Sequence, residues 1–139
     1  MMKAPLIILG VILIFTLSCN KTTDAPMSNE EMLLLGSWTK QSGDSIETYT
    51  KVDSLKEYEV GFSFLKSGKF VERKINGWCA TPPVTLMNYE GNWSIRDSVL
   101  NIQVGHWGGD AEYVYKLISS SKDKMTVSVI KRKYNFKAD

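Results

Sequence analysis

Hydrophobic and polar residues follow three unlike patterns along the chain. Residues 6–17 form an apolar run behind the single charge of Lys3, and residues 20–29 are polar and aperiodic. From Ser37 onward the pattern has period two, the spacing that sends successive side chains to opposite faces of a strand. Tyr58, Val60, Phe62 and Phe64 share one face while Glu57, Glu59, Gly61 and Ser63 share the other, which predicts a strand over 57–64 with one buried side. Lys66-Ser67-Gly68-Lys69 predicts a tight hairpin into a strand over 70–75. Met87, Tyr89, Gly91, Trp93 and Ile95 then alternate with Asn88, Glu90, Asn92 and Ser94. The turn at Arg96-Asp97-Ser98 leads to Leu100, Ile102 and Val104 on one face, and further strands follow over 113–118 and 125–136. With an initial strand from Ser37, seven or eight strands succeed one another through short connections. The expected fold is all-β, an antiparallel meander closing into a barrel. A sandwich is the alternative, but closure removes exposed edges, and about eight strands enclose a space that side chains fill or that holds one small ligand. One short helix precedes the strands: Ser28-Asn29-Glu30-Glu31 forms a capping box, Met32 to Leu35 continue it, and Gly36 ends it.

The N-terminal run is shorter than the roughly 20 apolar residues of a comfortable membrane span. A charged start, an apolar stretch, Ser18-Cys19 and the polar Asn20-Lys21-Thr22-Thr23-Asp24 follow the order of a secretory signal and its processing site. This arrangement resembles the lipoprotein signal peptide and lipobox, in which an apolar and two small residues precede a cysteine that becomes acylated. Thr16-Leu17-Ser18-Cys19 places its leucine one position later than that pattern. The resemblance implies that residues 1–18 are removed, that Cys19 is lipidated, that 19–29 form a flexible tether and that 30–139 form the barrel domain. An uncleaved N-terminal anchor with an incidental cysteine is the alternative. The membrane is then a partner through the lipid. Asn20 is not the aspartate associated with inner-membrane retention, so the expected location is the bacterial envelope, at the outer membrane and facing the periplasm.

About 120 residues remain behind the signal, enough for one modest core. The net charge of +2 falls further when Lys3 leaves, and no stretch concentrates basic residues, so nucleic acid is not an expected partner. With Cys19 acylated, Cys79 is the one remaining thiol and no disulfide framework exists; it reads as a buried small apolar side chain, a reactive thiol or an intermolecular disulfide. His106 is the sole histidine, which excludes sites built on several imidazoles within one chain. No nucleophile elbow or phosphate-binding glycine loop occurs, so an enzymatic role, a metal and a cofactor are not expected. Asp44-Ser45-Ile46, Asp53-Ser54-Leu55 and Asp97-Ser98-Val99 each resemble the acceptor of a bacterial periplasmic O-glycosylation system.

The short helix followed by Gly36-Ser37-Trp38 resembles the Gly-x-Trp signature of the lipocalins. Leu65 to Phe70, and Tyr89-Glu90-Gly91-Asn92-Trp93-Ser94-Ile95 with Asp97 and Leu100, are similar to segments of the lipocalin-like domains of bacterial lipoproteins. The resemblance makes Gly36, Trp38, Gly91 and Trp93 structural residues. It also implies that Arg132 lies over Trp38 at the closed end of the barrel.

Arg132 and Tyr134, two apart on one face of the last strand, resemble the Arg-x-Tyr pair with which fatty-acid-binding proteins hold a ligand carboxylate. Arginine suits that task through its two-pronged donor geometry. Its position between Lys131 and Lys133 equally fits a solvated basic strand end. Trp78, beside Cys79, and Trp107, in His106-Trp107-Gly108-Gly109, are large rings in connections and stand as ligand-rim candidates or as plugs. Two functions follow: a binding module for a small apolar or amphipathic ligand, or a structural module with a plugged interior that contacts an envelope protein. Phe62, Phe64, Tyr89, Trp93, Leu100 and Ile102 are bulky enough to fill a small barrel.

Overall fold

The computed structural model describes residues 25–77 and 82–138. Helix α1 spans Asn29–Leu34, and eight strands follow: β1 (Gly36–Ser42), β2 (Ile46–Val52), β3 (Gly61–Phe64), β4 (Lys69–Ile75), β5 (Leu86–Arg96), β6 (Val99–His106), β7 (Gly109–Ser120) and β8 (Lys124–Phe136). They form a closed antiparallel barrel in the order β1-β2-β8-β7-β6-β5-β4-β3. Strands β3 to β8 succeed one another as neighbours, and the β1–β2 hairpin closes the gap with β1 against β3 and β2 against β8. Local chemistry sets the turns. Asp97 and Ser98 both adopt positive φ (51° and 58°), the requirement of the two-residue turn whose twist matches the strands it joins.

The capping box predicted for α1 forms in full: the Glu31 amide donates to the Ser28 hydroxyl at 3.2 Å, and the Ser28 amide donates to the Glu31 carboxylate at 2.6 Å. A six-residue helix is too short to persist on its own. It is held because Leu34 is fully buried in the core and the Trp38 indole N–H donates to the Leu34 carbonyl at 2.7 Å. Thus α1 stoppers the end of the barrel where β1 begins. Above it the interior is aromatic: Phe62, Phe64, Phe70 and Trp93 pack with centroids 4.9 to 5.5 Å apart. The Trp93 indole is satisfied by the Leu65 carbonyl at 2.9 Å. At Gly91, β5 approaches β6 so closely that a Cβ would lie 2.0 Å from the Gln103 carbonyl oxygen, which excludes any side chain there.

Three expectations are corrected. The strand predicted over 57–64 is only Gly61–Phe64: Phe62 and Phe64 are buried, but Tyr58 is 82% and Val60 52% exposed. Residues 53–60 instead connect β2 to β3, which are not paired. Arg73 fastens this segment by donating to the carbonyls of Leu55 and Lys56. Second, the cation over Trp38 is Lys51, 4.8 Å from the ring centroid, not Arg132. Lys51 neighbours Trp38 across the β1–β2 ladder and also donates to the carbonyls of Leu33 and Leu35 at the end of α1. Third, Arg132 lies on an exposed strand end, with a third of its side chain exposed, but is not merely solvated, since it bonds Glu47 and Tyr115. Tyr115 pairs with Val129 and Val114 with Lys131, so Ile130 is an extra, 59% exposed residue in β8. This bulge turns the following residues by one position, and Arg132 enters the barrel while Lys131 bonds Glu112 outside.

Candidate functional site

The end of the barrel opposite α1 is open. A cavity of about 310 Å³ lies there, floored by Phe62, Phe70 and Ile102 and walled by Glu47, Tyr49, Glu72, Lys74, Tyr113, Tyr115, Arg132 and Tyr134. β2 contributes Glu47 and Tyr49, β4 Glu72 and Lys74, β7 Tyr113 and Tyr115, and β8 Arg132 and Tyr134. In each pair the residues are two apart, the spacing that keeps both side chains on the inner face.

Two hydrogen-bonded groups line this space. In the first, the Glu47 carboxylate, 1% exposed, takes Arg132 Nη2 at 2.9 Å, Lys40 Nζ and the Tyr49 hydroxyl at 2.6 Å. Arg132 also donates to the Tyr115 hydroxyl at 2.7 Å and lies over the rings of Tyr113 and Tyr115. Burial alone would raise the Glu47 carboxyl, but the bonds from Arg132, Lys40 and Tyr49 outweigh it and hold the group below the usual carboxylate range. Burial and the neighbouring Glu47 push the Tyr49 phenol upward, and burial is the main cause that takes Tyr115 to about 12. These hydroxyls therefore stay protonated. In the second group, Lys74 donates to Glu72 at 2.7 Å and to the Tyr113 hydroxyl at 3.1 Å, while Tyr113 donates to Glu72 at 3.0 Å. The Lys74 ammonium also stands 5.3 Å from the Tyr89 ring and 5.7 Å from the Tyr113 ring. No buried side-chain polar atom among the described residues lacks a partner.

A second, mostly apolar cavity of about 420 Å³ lies on the rim, bounded by Val60, Lys74, Ile75, His106, Trp107, Tyr134 and Phe136. Its centre is His106, with Phe136 at 5.0 Å and Tyr134 at 5.5 Å in edge-on packing. The Gly108 amide donates to His106 Nδ1 at 3.1 Å, so the proton sits on Nε2, which donates to the Asn135 carbonyl at 3.3 Å. Val60, Lys74 and Tyr134 border both cavities.

Of the sequence-derived candidates, Arg132 and Tyr134 line the interior cavity, and Tyr134 and Trp107 line the rim. Gly36, Trp38, Gly91 and Trp93 lie in the strands away from the mouth. Cys19, Trp78 and Cys79 are outside the described residues. Sequence inspection missed Glu47, Tyr49, Glu72 and Lys74. The one available signal was parity: Glu72 and Lys74 share the face of the buried Phe70. Among the described residues no group of three or more His, Cys, Asp or Glu is placed to hold a metal ion, and no helix is long and apolar enough to cross a membrane. No protein-family model matches the chain, and no match is found among curated proteins or solved structures.

Proposed function

We propose that this chain is a lipocalin-like envelope lipoprotein, anchored through lipid on Cys19 at the outer membrane and facing the periplasm, whose barrel mouth binds a small amphipathic ligand. The observation that carries the binding role is the junction of two unlike cavities, a polar one inside the mouth and an apolar one on its rim. The inner cavity, at about 310 Å³, is at the small end of ligand sites, so it suits a head group with the apolar part lying on the rim. The sequence from Lys3 to Cys19 supports the anchor.

Titration with 11-(dansylamino)undecanoic acid tests the binding role. Saturable one-to-one binding with blue-shifted emission, weakened by Trp107→Ala and Tyr134→Ala, is the expected result; emission that never saturates removes the proposal. Labelling cells with an alkynyl fatty acid tests the anchor, which fails if Cys19→Ala retains the label.

A second reading, a structural module that contacts an envelope protein, is favoured by the solid aromatic packing of Phe62, Phe64, Phe70 and Trp93 below the mouth. A domain that takes no amphiphile and co-purifies with one envelope protein would support it.

A further inference from the structure

We infer that the amphiphile is a singly charged anion, and that Lys74 on β4, not Arg132 on β8, receives its head group. This inference rests on the mouth being an amphiphile site and specifies the chemistry of that site.

The charges come first. Four cations and two carboxylates border the inner cavity. Arg73 turns its guanidinium away to Asn88 and to the carbonyls of Leu55 and Lys56, which leaves Lys40, Lys74 and Arg132 against Glu47 and Glu72. One anionic head group balances that set, whereas a cationic one doubles its excess. Inside a cavity partly shielded from water, such an imbalance is felt more strongly than on the surface.

The hydrogen bonds then separate the cations. Arg132 is committed: Nη1 and Nη2 address the two oxygens of Glu47, and Nη2 also meets Tyr115. Both Glu47 oxygens are doubly engaged, Oε1 by Lys40 and Arg132 and Oε2 by Tyr49 and Arg132. Drawing Arg132 away would strand a carboxylate that is 1% exposed. Lys74 is held less completely. Its partners Glu72 and Tyr113 use two of its three ammonium protons, and both bonds to Glu72 end on Oε2, leaving Oε1 with no partner among the described residues. Of the residues common to the inner and rim cavities, Lys74 alone is charged. A ligand lying along the rim therefore places its head beside Lys74 before it reaches any other cation. The rings of Tyr89 and Tyr113 keep the ammonium at that boundary. Glu72 is then a competitor for Lys74.

Among the described residues the buried core lies between Leu34 and Val127, so a chain beginning at Asn20 carries all of it and serves for the test. Its affinities for decanoate, 1-decanol and decyltrimethylammonium are measured by calorimetry below their micellar concentrations. Decanoate should bind at least tenfold more tightly than either of the others. Lys74→Met should abolish that preference by weakening decanoate far more than 1-decanol, and Lys74→Arg should restore most of it. Glu72→Gln should strengthen decanoate binding several-fold by releasing Lys74. Ligands that bind without charge preference, or a preference that survives Lys74→Met, overturn this inference while the amphiphile site stands. Failure of all three ligands to bind overturns both.

Discussion

The two halves of the barrel are built on opposite principles. Toward α1 the interior is an aromatic stack in which the indole nitrogens of Trp38 and Trp93 are each bonded to a carbonyl. Toward the mouth the same strands turn inward two carboxylates, three cations and several tyrosines, joined in networks. The first half derives its stability from area removed from water, which tolerates imperfect geometry. The second depends on every polar group keeping a partner, so losing one member exposes the desolvation of the others. The comparison teaches that the two halves fail differently, the packed half by exposing apolar area and the mouth by stranding a charge. Binding can be perturbed at the exposed rim without touching the packed half.

The largest expected effect lies in the packed half. Trp38→Ala should lower stability by about 3 to 5 kcal/mol in chemical denaturation, the range for truncating a buried aromatic side chain. A loss under about 1 kcal/mol would mean that the stopper and the stack are not coupled. Next, Glu47→Ala should cost about 2 to 3 kcal/mol, the lower side of a broken buried ion pair because Arg132 is one-third exposed. The double substitution Glu47→Leu with Arg132→Met should cost less than that single change. If it costs more, the network is stabilising in itself and not only unforgiving of partial loss.

The same carboxylate sets an acid limit. Because Glu47 is held below its ordinary value of 4.5, its contribution is complete above that pH. It is lost as the pH falls through the lower value the group has in the barrel, and Glu47→Gln should flatten this part of a stability-against-pH curve. Smaller still, Lys51→Met should cost about 1 to 2 kcal/mol, combining a lost cation–π contact with uncapped carbonyls at the end of α1. Smallest is Trp107→Ala. With the ring 44% exposed, thermal unfolding should hardly change while amphiphile binding weakens, the separation of the two halves in its plainest form.

The packed half was largely legible in the sequence, because its strands alternate as isolated strands should. Phe62 with Phe64, and Leu100 with Ile102 and Val104, announce their buried face without knowledge of their neighbours. The mouth was not legible for the opposite reason. In β2 the inward residues are Glu47, Tyr49 and Lys51, so the strand's polarity looks inverted, and only partners on β1, β8 and α1 make that inversion tolerable. In β8 the extra residue Ile130 breaks the count. Strict alternation from Met125 would have sent Arg132 to solvent. The pairing of Arg132 with Tyr134 was visible as spacing, but the direction of the pair was a tertiary fact. The Lys51 contact with Trp38 was hidden similarly, since a lysine two residues past a tyrosine carries no mark of the indole across the ladder.

The stopper at the base also bears on how the molecule stands. The described chain enters at that base, where residues 25–27 run beside Lys66 to Gly68 and Trp93 before α1 begins. An attachment at Cys19 would therefore hold the barrel by its foot, with only residues 20–24 between the two, a stretch that reaches at most about 20 Å. The opening would point away from the bilayer that holds the lipid, like a cup on a short chain. Cargo would then arrive from the aqueous side, and the receptacle would not drain into its own supporting membrane.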